Sequence, residues 1–259
     1  MAIQISFPDT PPMLVVIAGP CRVGTTALTN IFVQASIPSH MQPIKSARRA
    51  IEIGGKIIPW IIDGSEGKGD FVVCKETLGP ETPAEFFNPI QILLEAGYPK
   101  EKLILIPIVR DPVQAYASWI RMWGEVDLEK FKLAYQLTSI TKTTAKINGI
   151  KTIPYVHEVI QDNQADIVIS QLFKRLGLVT SSDVIHNWGA LRQNGNNASF
   201  YDDPPEKFID GIKNRGEYKY EDLPVTEKDV KCIEHNPVLK DIYESFRKSC
   251  EESLKVTIK

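Results

Sequence analysis

Eleven residues near the N-terminus, AGPCRVGTTAL (18–28), have the types and spacing of an anion-binding loop. Gly19 and Gly24 stand as in the phosphate-loop pattern G-x-x-x-x-G-K-[ST], but Thr25 replaces the lysine and Thr26 follows it. In nucleoside-triphosphate enzymes that lysine reaches the β- and γ-phosphates, so its absence counts against a magnesium-bound triphosphate. What remains still suits an oxyanion. Backbone N–H groups of residues 22–26, opening a helix, attract an anion whatever the side chains are. Arg22 lies inside the turn, and its guanidinium can fork onto two oxygens of a phosphate or sulfate. Thr25 and Thr26 add hydroxyl donors.

A second cluster lies in IVRDPVQAYAS (108–118). Arg110 ends an apolar run, Asp111 is an expected N-cap, Pro112 suits the first helical position, and Ser118 follows Arg110 by eight residues. Together the two segments resemble the sulfotransferases that use 3′-phosphoadenosine 5′-phosphosulfate (PAPS). Their first signature is a [K/R]-S-G-T-T loop that holds the 5′-phosphosulfate. CRVGTTAL is similar to it through Arg22, Gly24, Thr25 and Thr26, with Val23 in place of the usual serine and Ala27 next in the loop. Their second is R-[ND]-P-x-[DE]-x-x-x-S, whose arginine and serine bind the 3′-phosphate. Arg110, Asp111, Pro112 and Ser118 match it, and Gln114 departs from it. YVHEVIQDNQADIVISQLFKRLGL is a weaker third likeness, and the resemblance covers about residues 13–180.

The resemblance implies sulfuryl transfer from PAPS, leaving adenosine 3′,5′-bisphosphate (PAP). Its transition state is loose and in-line, and no metal is required. The 5′-phosphate gains charge as it leaves, so Arg22 and backbone donors would stabilise it. The acceptor, a hydroxyl or amine, must lose a proton to a base. CKETLGPE (74–81) resembles the family's K-x-H-L-P stretch: Lys75 matches the lysine near the transferred group, while Thr77 stands at the histidine position and cannot serve as base. Glu76 is then the first candidate base, with His157 and His40 as alternatives. The rival for Lys75 and Glu76 is an ordinary solvated pair at a strand end. Arg215 and Gly216 in KNRGEYKY match part of a late R-K-G element that touches the 3′-phosphate in cytosolic relatives. The loop 187–203, with Trp188, Phe200 and Tyr201, is expected to cover the acceptor. Lys45, Arg48 and Arg49 are expected on a solvated helix face.

The elements that must position these residues follow from periodicity. MLVVIA (13–18), FVVCK (71–75) and LILIPIV (103–109) are short unbroken apolar runs, as in buried parallel strands, and KTIPYVHEVI (151–160) suits a fourth. Helical spacing marks 25–35, 83–97 with a break near Pro89, the segment after Asp111, 126–147 and 165–178. TEKDVKCIEHN and PVLKDIYESFRKSCEESL suit two closing helices, and 187–207 is turn-rich loop. The expected fold is α/β: a central, mostly parallel sheet flanked by helices, of the P-loop-like sulfotransferase type. One domain is expected over 1–259, with a PAPS-binding core at 13–180 and lid loops and closing helices at 181–259.

A net charge of −2 gives no overall attraction to nucleic acid or anionic membrane. No apolar run is long enough to span a bilayer, and no secretory leader is evident, so a cytoplasmic protein is expected. The four cysteines lack metal-ligand spacing. A small-molecule acceptor is the expected partner; acceptor identity and oligomeric state are not legible. Two other readings stay open: a nucleotide kinase or phosphotransferase with a degenerate phosphate loop, and a non-catalytic PAP-binding protein.

Overall fold

A computed structural model describes residues 3–64, 70–163, 165–179, 198–201 and 225–258. In chain order the strands are β1 (Ile5–Ser6), β2 (Met13–Pro20), β3 (Ser39–Met41), β4 (Trp60–Ile61), β5 (Phe71–Leu78), β6 (Leu103–Val109), β7 (Lys151–Thr152), β8 (Tyr155–Val156) and β9 (Ala198–Phe200). The helices are α1 (Thr25–Gln34), α2 (Pro43–Glu52), α3 (Pro89–Glu95), α4 (Pro112–Trp123), α5 (Leu128–Ile147), α6 (Val159–Asp162), α7 (Ala165–Leu176), α8 (Glu227–Glu234) and α9 (Pro237–Leu254).

Among the described residues the main sheet has seven strands in the order β7-β6-β2-β5-β3-β9, with β8 also on β6, and every pairing is parallel. It is an α/β fold with a parallel sheet flanked by helices, as the apolar runs predict. β2 lies between β5 and β6, and its residues Leu14 to Ala18 are fully buried or nearly so. That is why it carries no polar alternation. A parallel sheet puts the ends of β2, β5 and β6 on one edge, where their following loops converge.

Most helices begin where the cap residues indicate. Asn88, Asp111, Asp127 and Asn236 each accept backbone N–H bonds at the heads of α3, α4, α5 and α9, and Thr226 closes a capping box on α8. The 83–97 segment is split, as Pro89 implies, into a 3₁₀ turn at Pro83–Glu85 and α3. Two expectations need correction. The fourth strand is two short ones, because Ile153–Pro154 interrupts 151–160 and residues beyond Val156 turn away towards α6. Within the turn-rich 187–207 segment, Ala198–Phe200 form an edge strand paired with β3. β3 and β9 are three residues long, too short to leave a pattern.

Candidate functional site

The loop after β2 is built by two backbone exceptions. Arg22 has φ 68° and Gly24 φ 92°, both left-handed. Glycine tolerates that region, but for arginine it is uncommon and marks a locally constrained site. The constraint comes from neighbours on both sides. The Cys21 N–H donates to the Leu78 carbonyl (3.0 Å) and its thiol to the Gly79 carbonyl (2.8 Å), tying the loop to the end of β5. The Trp119 indole N–H donates to the Cys21 carbonyl (2.6 Å), tying it to α4. Gly24 has no room for a side chain: a Cβ there would lie 2.3 Å from His157 Nδ1. Gly24 is also the N-cap of α1 and has no side chain to satisfy the first helical N–H groups. Such a helix start is suited to an anion.

The two sequence clusters meet here. Arg22 Nε donates to Ser118 Oγ at 3.1 Å, joining residues 96 apart in the chain. Ser118, expected beside Arg110, is thus tied to Arg22. Of the other loop residues, Val23 is fully buried and Thr25 nearly so, while Thr26 and Ala27 are half-buried. Val23 can therefore offer a ligand its backbone only. Arg110 lies just past β6. The Tyr135 hydroxyl donates to its carbonyl (2.7 Å), and its guanidinium lies 3.9 Å from Glu158. Arg215, Gly216 and Trp188 fall outside the described residues.

Lys75 and Glu76 are not a solvated pair. Both are buried, Glu76 completely. Burial pulls the Lys75 ammonium down to about 8, and Lys45 and Arg22 add to the effect while Cys21 and Glu76 oppose it. Lys75 is therefore a buried cation in the same positive cluster as Arg22. Glu76, the first candidate for the general base, also has a structural task. Its Oε1 accepts the Ile44 N–H (2.7 Å) and its Oε2 the Lys45 N–H (3.1 Å), so both oxygens anchor the start of α2. Burial raises its carboxyl to about 7 against those two bonds. Each oxygen already accepts one backbone N–H, so any change at Glu76 also disturbs the start of α2.

The basic residues of α2 also differ from expectation. Lys45 is buried, with Nζ 2.7 Å from the Gly79 carbonyl and 3.1 Å from Glu85, and it approaches Cys21 and Thr77. Arg49 pairs with Glu81 and Glu85, and Arg48 donates to the Ala84 carbonyl while lying over the Phe87 ring. They clamp α2 to the segment after β5, with Lys45 buried and Arg48 and Arg49 half-buried. The burial of Lys45 leaves no mark in the sequence, because only the folded packing turns its side of α2 inward. Glu158 went unrecognised because nothing in the sequence sets it beside Arg110.

Both candidate histidines are neutral near pH 7; His40 is buried and His157 half-buried. His40, an alternative base, is on β3, with Nδ1 2.8 Å from the Tyr201 hydroxyl and its ring near Trp60. Burial lowers it to about 4, despite Asp63. His157 follows β8, packs beneath Gly24, and is lowered to about 3 by burial and by Arg110. Of the expected acceptor cover, Phe200 belongs to β9 and Tyr201 contacts His40.

No family profile matches this chain, and no curated protein sequence matches it. Among solved structures, the sulfotransferase domain from the Synechococcus PCC 7002 olefin synthase is similar. The TM-score is 0.49 at 13% identity, over 94% of this chain and 98% of that one. No helix among the described residues is long and apolar enough to cross a membrane.

Proposed function

We propose that this chain moves a sulfuryl group from PAPS to a hydroxyl or amine of a small-molecule acceptor. The observation that carries the reading is the 3.1 Å Arg22–Ser118 contact, which unites the two anion-binding segments at one sheet edge. In this reading the loop at 22–27, with Arg22, Thr25 and Thr26, holds the 5′-phosphosulfate. Arg110 takes the 3′-phosphate, with Ser118 bridging to Arg22. Arg215 and Gly216 are further candidates for the 3′-phosphate. Lys75 stabilises charge on the sulfuryl or bridging oxygens during transfer.

For the acceptor's proton, His40 becomes the first candidate. It stays neutral near pH 7 and sits on the strand beside the one bearing Lys75. When its Nδ1–H donates to the Tyr201 oxygen, Nε2 carries the lone pair that a base requires.

The test is direct. Purified protein is incubated with PAPS and an acceptor library, and products are screened by mass spectrometry for the gain of one SO₃ unit. Transfer without added metal supports the reading. ATP- and magnesium-dependent transfer of a phosphoryl group instead would establish the kinase alternative. PAP binding with no transfer to any acceptor would establish the non-catalytic one.

A further inference from the structure

Glu158 stands beside Arg110, and sulfuryl transfer as described above gives it no task. Its Oε1 accepts the Asp111 N–H at 3.0 Å and lies 3.9 Å from Arg110 Nε. Arg110 Nε and Glu158 Oε2 are both buried, and neither has a hydrogen-bond partner among the described residues. The pair is therefore in ionic contact without a hydrogen bond. The guanidinium keeps donor capacity for another oxyanion, while the Asp111 bond prevents the carboxylate from swinging aside. A phosphate dianion taken by Arg110 would meet a fixed like charge. A proton on that charge is the smallest change that relieves the repulsion.

We propose that Glu158 is a proton-linked counter-ion of Arg110: uptake of a nucleotide 3′-phosphate draws a proton from solvent onto the Glu158 carboxyl, and a nucleotide without a 3′-phosphate draws none onto it. The proposal rests on the assignment of Arg110 to the 3′-phosphate. Glu158 is a positioning residue in it, acting on the ligand through Arg110 and through its own charge.

The surrounding groups leave few other sites for that proton. On its own loop, His157 is held neutral, lowered to about 3 by burial and Arg110. Tyr135 on α5, Tyr155 on β8, and Tyr243 and Cys250 on α9 are all raised by burial and stay uncharged near neutrality. Glu244, Arg247 and Glu251 on α9 act on Tyr243 and Cys250, and Glu234 on α8 acts on Asp111. Asp111 is the competing carboxyl: burial raises it, whereas its bond from the Gln114 N–H and the Arg110 charge lower it. Glu158 itself is raised to about 7 by burial, against the Asp111 bond and Arg110. A second negative charge raises it further, so uptake belongs to the pH range above 7. Affinity for the 3′-phosphate should fall as pH rises through that range, by at most about tenfold per pH unit for one proton.

Isothermal titration calorimetry with PAP and with adenosine 5′-monophosphate (AMP) tests this, in buffers of different ionisation enthalpy at pH 8. Free phosphate monoesters are already dianions there, with a second pKa of about 6. The parent protein should take up a larger fraction of a proton with PAP than with AMP, whose 5′-phosphate can draw a proton onto Lys75, itself near 8, but not onto Glu158. Glu158→Gln keeps an acceptor for the Asp111 N–H and removes the charge. It should abolish the excess uptake with PAP over AMP, bind PAP about three- to tenfold tighter than the parent at pH 8.5, and match the parent at pH 6. Equal proton counts for PAP and AMP in the parent would overturn the proposal without recourse to the variant. So would identical pH profiles for parent and Glu158→Gln, and in either case the Arg110 assignment survives if PAP still binds tighter than AMP. PAP binding no tighter than AMP would remove that assignment, and this proposal with it.

Discussion

Glu76 and Arg110 make opposite use of burial. Glu76 sits where the sheet edge needs an acceptor for α2, and both its oxygens are used. Glu76→Gln offers one acceptor oxygen for two N–H groups, and should lower the melting temperature while leaving turnover within about threefold of the parent. His40→Asn should instead slow turnover by about 10²-fold or more, the usual worth of a positioned base. A turnover loss of that size in Glu76→Gln, with PAP binding intact, would return the base role to Glu76. The Glu76 carboxyl also predicts a pH effect on stability. Its folded value, about 7, is above the ordinary 4.5, so the folded state holds its proton more tightly than the unfolded chain. That contribution is complete below about 4.5 and is lost as pH rises through 7. Melting temperature followed from pH 5 to 8 should decline in the parent and less in Glu76→Gln. Arg110 keeps donor capacity, its buried Nε having no hydrogen-bond partner among the described residues. Arg110→Ala should weaken PAP binding more than tenfold, since a charge-assisted hydrogen bond contributes about 1.5–3 kcal/mol. Affinity for AMP should stay the same. Ser118→Ala should weaken both ligands, because its hydroxyl positions Arg22.

At the scale of elements, the strand–loop–helix unit β2–α1 is held by close approaches that only glycine permits. A Cβ on Gly19 would lie 2.1 Å from the Ile108 carbonyl oxygen, which would force β2 away from the end of β6. A Cβ on Gly24 would strike His157, and the left-handed φ of 92° adds strain of about 1–3 kcal/mol for any other residue. Gly24→Ala should therefore lower the melting temperature by several degrees, at about 2–4 °C per kcal/mol for a chain of this size. It should also weaken PAP, because the helix start moves. Adding His157→Ala removes the clash but not the backbone strain, so the double variant should recover part of the loss. A double variant no more stable than Gly24→Ala alone would show that the His157 contact is not the cause.

For the whole molecule, the expected ligand is the strongest probe. PAP at a hundred times its dissociation constant stabilises by about 2.7 kcal/mol, or roughly 5–10 °C. The shift should appear in a metal chelator, since the site as proposed binds through cations, hydroxyls and backbone N–H groups. ATP with magnesium should shift the transition less. A larger ATP shift that the chelator abolishes would contradict the sulfuryl-transfer reading.

The α/β architecture was legible because continuous burial of β2, β5 and β6 demands unbroken apolar runs, and because cap residues announce helix starts locally. The loop at 18–28 was legible for the same reason: its spacing is a local backbone requirement. The short edge strands β3 and β9 were not, since three residues carry no period and pairing alone defines them. Nor were the inward turn of Lys45, the anchoring of α2 by Glu76, and the pairing of Arg110 with Glu158. Each depends on which residues distant in the chain the parallel sheet brings to one edge, and on how much water the packing there removes. Residue type states what chemistry a side chain can do. Burial and partners, which exist only after folding, select the charge state and the role it takes.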